Sequence, residues 1–161
     1  MLALGPLVKG LRLTAILLVL GLAGQAWAGT CGNGVVEGTF TQISAGYRHT
    51  CAINSSGAVE CWGNNGYGQS SPPAGTFTQL AAGRYHTCGI NSSGAVECWG
   101  YDGWGQSSPP AGTFTQIAAG YWHTCAINSS GAVECWGYDG YGQSSPPAGT
   151  FTQVSAGGYH T

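Results

Sequence analysis

The sequence predicts an all-β protein assembled from β-propeller blades of 37 residues, a partial propeller with about three blades present. Two observations carry this reading. Residues 40–76, 77–113 and 114–150 are three copies of one 37-residue unit, the last two differing at five positions, and 151–161 opens a fourth. A period of this length marks units that bury their apolar surface against neighbouring copies. Within a copy, apolar residues alternate as in strands, in FTQIS, HTCAI and AVECW, and never recur at helical spacing. Gly46, Gly57, Gly63, Gly66, Gly68 and Pro72-Pro73 punctuate the rest. Each copy reads as one small antiparallel sheet, with three clear strands and a short, weak fourth near Gln69 to Ser71, which is the form of a propeller blade.

Ahead of the repeats, residues 1–28 have the layout of a secretory signal. Lys9 and Arg12 precede an apolar run from Leu13 to Ala23, and Ala26-Trp27-Ala28 places small residues where a signal peptidase cuts. The apolar run is shorter than the roughly 20 residues of a spanning helix. Export without membrane insertion is expected, with 29–39 a short N-terminal segment before the repeats at 40–161. Cleavage after Ala28 removes two cations and leaves Arg48 and Arg84 against Glu37, Glu60, Glu97, Glu134, Asp102 and Asp139. A chain so poor in positive charge cannot neutralise many phosphates, which excludes nucleic acid and anionic lipid as partners. The six Trp and eight Tyr argue for a packed fold despite 29 Gly.

The hairpin between the second and third strands fixes the register. Asn54-Ser55-Ser56-Gly57 suits a type I turn closed by a left-handed glycine. Asn54 then pairs with Ala58, Ile53 with Val59, Ala52 with Glu60 and Cys51 with Cys61. Counting outward makes 51:61 a non-hydrogen-bonded pair, in which opposed Cα atoms approach most closely. Cysteines placed there in an exported chain can reach disulfide geometry, and the same counting joins Cys88 to Cys98 and Cys125 to Cys135. Two other readings stand beside this one: reduced thiols packed as small hydrophobes, and part of a zinc site with His49, His86 or His123. Against zinc, there is no CxxC and each copy offers three ligands at most, so no metal and no cofactor is expected. Cys31 is left over.

The runs QISAGYRHTCAINSSGAVECWGNNGYGQ, QLAAGRYHTCGINSSGAVECWGYDGWGQ and QIAAGYWHTCAINSSGAVECWGYDGYGQ resemble the regulator-of-chromosome-condensation (RCC1-type) repeat. The marks are the AG-x-x-H turn, the G-x-V-x-x-WG strand and the G-x-GQ that follows, over residues 40–161. The resemblance implies a propeller, usually of about seven blades. The short repeat and the export signal look more like the family's secreted bacterial branch, which includes a propeller-type β-lactamase inhibitor, than like its nuclear exchange factor. That implies a bacterial protein, secreted or at the cell surface. At 31–38, CGNGVVEG resembles the start of a cysteine-rich repeat common on myxobacterial surface proteins. Because three and a third blades cannot close a ring, a longer parent chain is expected.

Function is sought where the copies differ. Most variation falls at Tyr47-Arg48, Arg84-Tyr85, Tyr121-Trp122 and Gly158-Tyr159 before the histidine, and at 64–67, 101–104 and 138–141 after the WG. In a meander, successive connections alternate between the two ends of the sheet, so both variable stretches are expected on one propeller face. Tyr, Trp and Arg are the residue types of binding hot spots. The candidate partner-binding residues are Tyr47, Arg48, Tyr67, Arg84, Tyr85, Tyr101, Asp102, Trp104, Tyr121, Trp122, Tyr138, Asp139 and Tyr141. Trp62, Trp99 and Trp136 are expected in the core. His49, His86, His123 and His160 fit a fixed turn-to-strand hydrogen-bonding role better than catalysis. No nucleophile elbow, phosphate loop or HExxH occurs, and identical glutamates at 60, 97 and 134 do not make an acid/base pair with separated roles. The expected function is a secreted, non-catalytic module binding an extracellular protein. The alternatives are a glycan-binding surface using the aromatics with Asp102, Asp139 and Asn64, and a purely structural repeat array. The Asn-Ser-Ser triplets at 54, 91 and 128 match a glycosylation acceptor, although the turn accounts for them alone.

Overall fold

The computed structural model describes residues 39–161; the signal expected at 1–28, most of the 29–39 segment and Cys31 lie outside the described residues. Nine strands form three antiparallel sheets in chain order. They are β1 (Phe40–Ala45), β2 (His49–Asn54) and β3 (Val59–Gly63), then β4 (Phe77–Ala82), β5 (His86–Asn91) and β6 (Val96–Gly100), then β7 (Phe114–Ala119), β8 (His123–Asn128) and β9 (Val133–Gly137). The three sheets are blades of a partial β-propeller. Their β1–β2, β4–β5 and β7–β8 turns gather with the 156–158 turn around one opening, and Tyr47 of the first blade reaches Tyr121 of the third, 6.4 Å between ring centroids.

The hairpin register is the one the turn dictates. Asn54 N–H donates to the Ala58 carbonyl at 2.9 Å, Gly57 takes φ +85°, and Ile53, Ala52 and Cys51 face Val59, Glu60 and Cys61. The Asn54 carboxamide oxygen accepts from Ser56 N–H and Ala58 N–H, and its amide donates to Glu60 at 3.0 Å. Asn91 and Asn128 hold Glu97 and Glu134 in the same way. Disulfides join Cys51–Cys61, Cys88–Cys98 and Cys125–Cys135, with Cα atoms 4.0 to 4.1 Å apart. These bonds withdraw all six sulfurs from the thiol and zinc readings.

One expectation needs correction. Gln69 to Ser71 adds no fourth strand: Gln69 and Ser70 lie in a turn, because their side chains and backbone close the loop on itself. FTQIS alternates in exposure as expected, while its pairing with β2 carries a bulge between Phe40 and Gln42, repeated at Phe77/Gln79 and Phe114/Gln116. Beyond the bulge, the Gln42 carboxamide behaves as a strand partner, accepting from Leu80 N–H at 2.8 Å and donating to the Leu80 carbonyl at 3.2 Å in the next blade.

The core lies between blades. Cys51 and Ile53 of the first blade pack on Phe77, Leu80 and Trp99 of the second, and Cys88, Ile90 and Val96 of the second pack on Phe114, Ala126 and Trp136 of the third. Leu80 is 4% exposed, whereas Ile43, at the same position of the first blade, is 63% exposed. Burial at this position therefore comes from the preceding blade and not from the residue's own sheet.

The histidines serve the same seam. His49 Nε2 and Thr87 Oγ1 of the next blade are 2.8 Å apart. Thr87 Oγ1 donates to the Gln69 carbonyl, which also accepts Trp99 Nε1–H at 2.9 Å. His86, Thr124, Gln106 and Trp136 repeat the arrangement, and His123, Thr161 and Gln143 begin it again. This hydrogen bond crosses between copies, a distinction sequence cannot make when every copy is alike. Room for the ring requires glycine, because a Cβ at Gly83 would meet the His86 ring and the Gly120 carbonyl. Burial lowers the pKa of His86 to about 3, with the neighbouring His49 and His123 adding to the effect, and burial lowers His49 and His123 as well. All three are neutral at pH 7.

Candidate functional site

Both variable stretches lie on one face, tied together by backbone. Asn64 N–H donates to the Arg48 carbonyl, Tyr101 N–H to Tyr85 and Tyr138 N–H to Trp122, each at 2.8 Å. The residue two places after Trp62, Trp99 or Trp136 is thereby fixed beside the residue preceding each blade's histidine. The loop that follows is held from within. The buried Gln69, Gln106 and Gln143 accept the N–H of Tyr67, Trp104 and Tyr141 at 2.8 to 2.9 Å, which presents these three rings outward.

The acids predicted as ligand contacts have local roles. Asp102 accepts from Ser107 N–H at 2.7 Å and Ser108 Oγ–H at 2.6 Å, and Asp139 does the same with Ser144 and Ser145. Those bonds, the one from Ser145 foremost, hold the Asp139 pKa below the ordinary carboxylate value. Asn64 accepts from the Gln69 amide at 2.6 Å. Tyr101 and Tyr138 replace Asn64 in the later copies, and there the buried Gln106 and Gln143 amide nitrogens have no partner among the described residues.

The aromatic residues do come together. Tyr47, Tyr67, Tyr85, Tyr101, Tyr121, Tyr138, Tyr141 and Tyr159, which are all the tyrosines of the chain, join Trp104 and Trp122 in one continuous set of ring contacts. Centroids lie 5.0 to 6.4 Å apart at tilted or edge-to-face angles, the favoured geometry for such pairs. Tyr67 touches Tyr85 and Tyr101 of the next blade and yet stays 53% exposed, so ring packing between blades and availability to a partner coexist. Tyr47, Trp104, Tyr121, Tyr141 and Tyr159 are exposed too. Tyr159 was not among the predicted site residues; its place before His160, matching Tyr85 and Trp122, is the signal for it. Trp99 and Trp136 are buried as expected, while Trp62 is half-buried against Phe40.

Arg84 sits in the middle of this surface. Its guanidinium lies 5.0 to 5.2 Å from the ring centroids of Tyr47, Tyr85, Tyr121 and Trp122, and its Nε is buried without a hydrogen-bond partner. Ring faces attract a cation at this range. Arg48 is exposed and lies over Tyr47 alone, at 5.2 Å. Further out on the face, Trp104, Trp122, Tyr138, Tyr141 and Tyr159 line a cleft of about 330 Å³.

The sequence matches the regulator of chromosome condensation (RCC1) repeat at residues 40–69, 77–106 and 114–143. No curated protein matches significantly. Among solved structures, the ectodomain of the Physcomitrella patens receptor kinase CR4 is similar at TM-score 0.70 and 31% identity, over 84% of this chain and 40% of that one. The CRINKLY WD40 ectodomain of the Arabidopsis thaliana receptor kinase ACR4 is similar at TM-score 0.64 and 30% identity, over 78% and 45%. Saccharomyces cerevisiae Prp20p, described with its binding to Gsp1p and histones, shares the fold at TM-score 0.58 and 22% identity, over 66% and 32%. The chain thus spans less than half the length of each of these proteins.

Proposed function

From the chain's place in the regulator of chromosome condensation repeat family, to which it belongs, we propose that it is a secreted, non-catalytic binding module that engages an extracellular protein through its aromatic face. The observation that carries the reading is the gathering of every tyrosine, two tryptophans and both repeat arginines on the one face where the copies differ. Aromatic and arginine side chains contribute most of the binding energy at protein interfaces. The three disulfides and the likeness to receptor ectodomains support an extracellular setting, in keeping with a signal at 1–28 and a bacterial cell surface. The three repeated glutamates are occupied in holding their hairpin asparagines, a structural use that supports a non-catalytic role. A glycan surface needs free carboxylates or amides beside its rings, and the carboxylates of Asp102 and Asp139 and the side-chain oxygen of Asn64 are committed to their own loops.

The test immobilises the oxidised chain and offers it extracellular proteins of its own host and, separately, a glycan array. Saturable retention of a protein that is lost in Tyr121→Ala/Trp122→Ala supports the reading. Retention of glycans instead moves the face to carbohydrate binding, and indifference to the double substitution leaves a structural spacer.

A further inference from the structure

We propose that the aromatic cleft beside Arg84 is a binding site for a cationic side chain, an arginine or lysine presented by the partner. This deepens the reading of the face as a protein-binding surface and rests on it. All five lining residues, Trp104, Trp122, Tyr138, Tyr141 and Tyr159, are aromatic. Successive rings meet steeply, at 63° for Trp104 and Tyr138, 75° for Tyr138 and Tyr141, and 84° for Tyr141 and Tyr159. A box of crossed rings offers faces and edges to one central group, whereas a sugar ring needs a flat platform with polar neighbours. A cation within about 6 Å of a ring face is attracted by the ring quadrupole, more strongly as it is desolvated.

The same face shows this recognition already satisfied once. The Arg84 guanidinium is enclosed by four rings, and one of them, Trp122, is also a wall of the cleft. Neither arginine lines the cleft: among the described residues they are the only Lys or Arg, Arg84 standing behind the Trp122 wall and Arg48 over Tyr47 alone. Acids outnumber them, and Asp102 and Asp139 belong to the two loops that supply Trp104, Tyr138 and Tyr141, so their negative charge opposes that of Arg84 behind the Trp122 wall.

Calorimetric titration of the oxidised full chain with a short arginine-containing peptide, and with the same peptide carrying citrulline, tests this. Citrulline keeps the size and shape of arginine without its charge. The arginine peptide is expected to bind about tenfold more tightly or better, and Trp104→Ala and Tyr141→Ala, both at exposed positions, to remove the difference without lowering the thermal midpoint. Equal affinity for the two peptides overturns the cation assignment while leaving the partner-binding face intact. Absence of saturable binding to either, or binding unmoved by both substitutions, overturns the site. Failure of the broader reading shows separately, as protein retention indifferent to Tyr121→Ala/Trp122→Ala.

Discussion

Mild acid should weaken this protein through His86. Its pKa is about 3 in the folded chain, against an ordinary 6.5, because the ring is buried between blades. Between those values the unfolded chain binds a proton that the folded one refuses, so stability is full above about pH 6.5 and falls as pH drops. With these two pKa values, His86 alone costs about 2 kcal/mol between pH 7 and pH 5, more than half of it between pH 6 and pH 5. His49 and His123, also lowered by burial, add in the same direction. Asp139, whose pKa is lowered, loses its contribution only in more acid solution, which keeps this window to histidine. The assay is urea unfolding followed by tryptophan fluorescence at pH 7, 6 and 5, disulfides intact. His86→Gln should be less stable at pH 7 but show a shallower pH dependence. A wild-type stability that does not change from pH 7 to 5, or a slope unchanged in His86→Gln, would refute the buried neutral imidazole.

Replacing Cys88 and Cys98 by serine opens a bridge spanning a sequence separation of 10 and should cost about 3 kcal/mol, read as a lower urea midpoint. Trp99→Phe keeps an aromatic ring in the seam but removes one of the two hydrogen bonds to the Gln69 carbonyl, leaving Thr87 Oγ1–H as its donor, and calorimetry should show a loss of about 1 kcal/mol. Gly83→Ala drives a methyl group into the His86 ring and toward the Gly120 carbonyl, an overpacking that should cost about 1 to 3 kcal/mol in the same melts. Tyr141→Ala, at a 73% exposed ring, should change stability by no more than about 0.5 kcal/mol, so any lost binding is local.

The hairpin was legible residue by residue. Asn54 and Gly57 admit one turn, the turn sets the pairing, and the pairing opposes Cys51 to Cys61. Convergence of the variable positions was legible as well, since it follows from the alternation of connections in a meander. The fourth strand was misread at Gln69 because a buried polar residue without apolar neighbours leaves the same trace in sequence as a weak edge strand. The aspartates were legible as acids near the rings, but whether their oxygens are free depends on Ser107, Ser108, Ser144 and Ser145 folding back onto them.

By itself the sequence determined what is local: the 37-residue unit, the three-residue hairpin turn, the pairing of cysteines and the end of the sheet on which the variable side chains emerge. Short-range backbone geometry fixes all of these within one copy. Tertiary structure decided which copy each group serves. His49 could face its own blade or the next, and only packing shows that it meets Thr87. Leu80 and Ile43 carry the same kind of side chain with opposite exposure, and Arg84 finds its four rings in three different blades. Identical repeats present the same groups at every position. The partner of each is therefore set by the geometry of stacking, which lies between copies and not within any one of them.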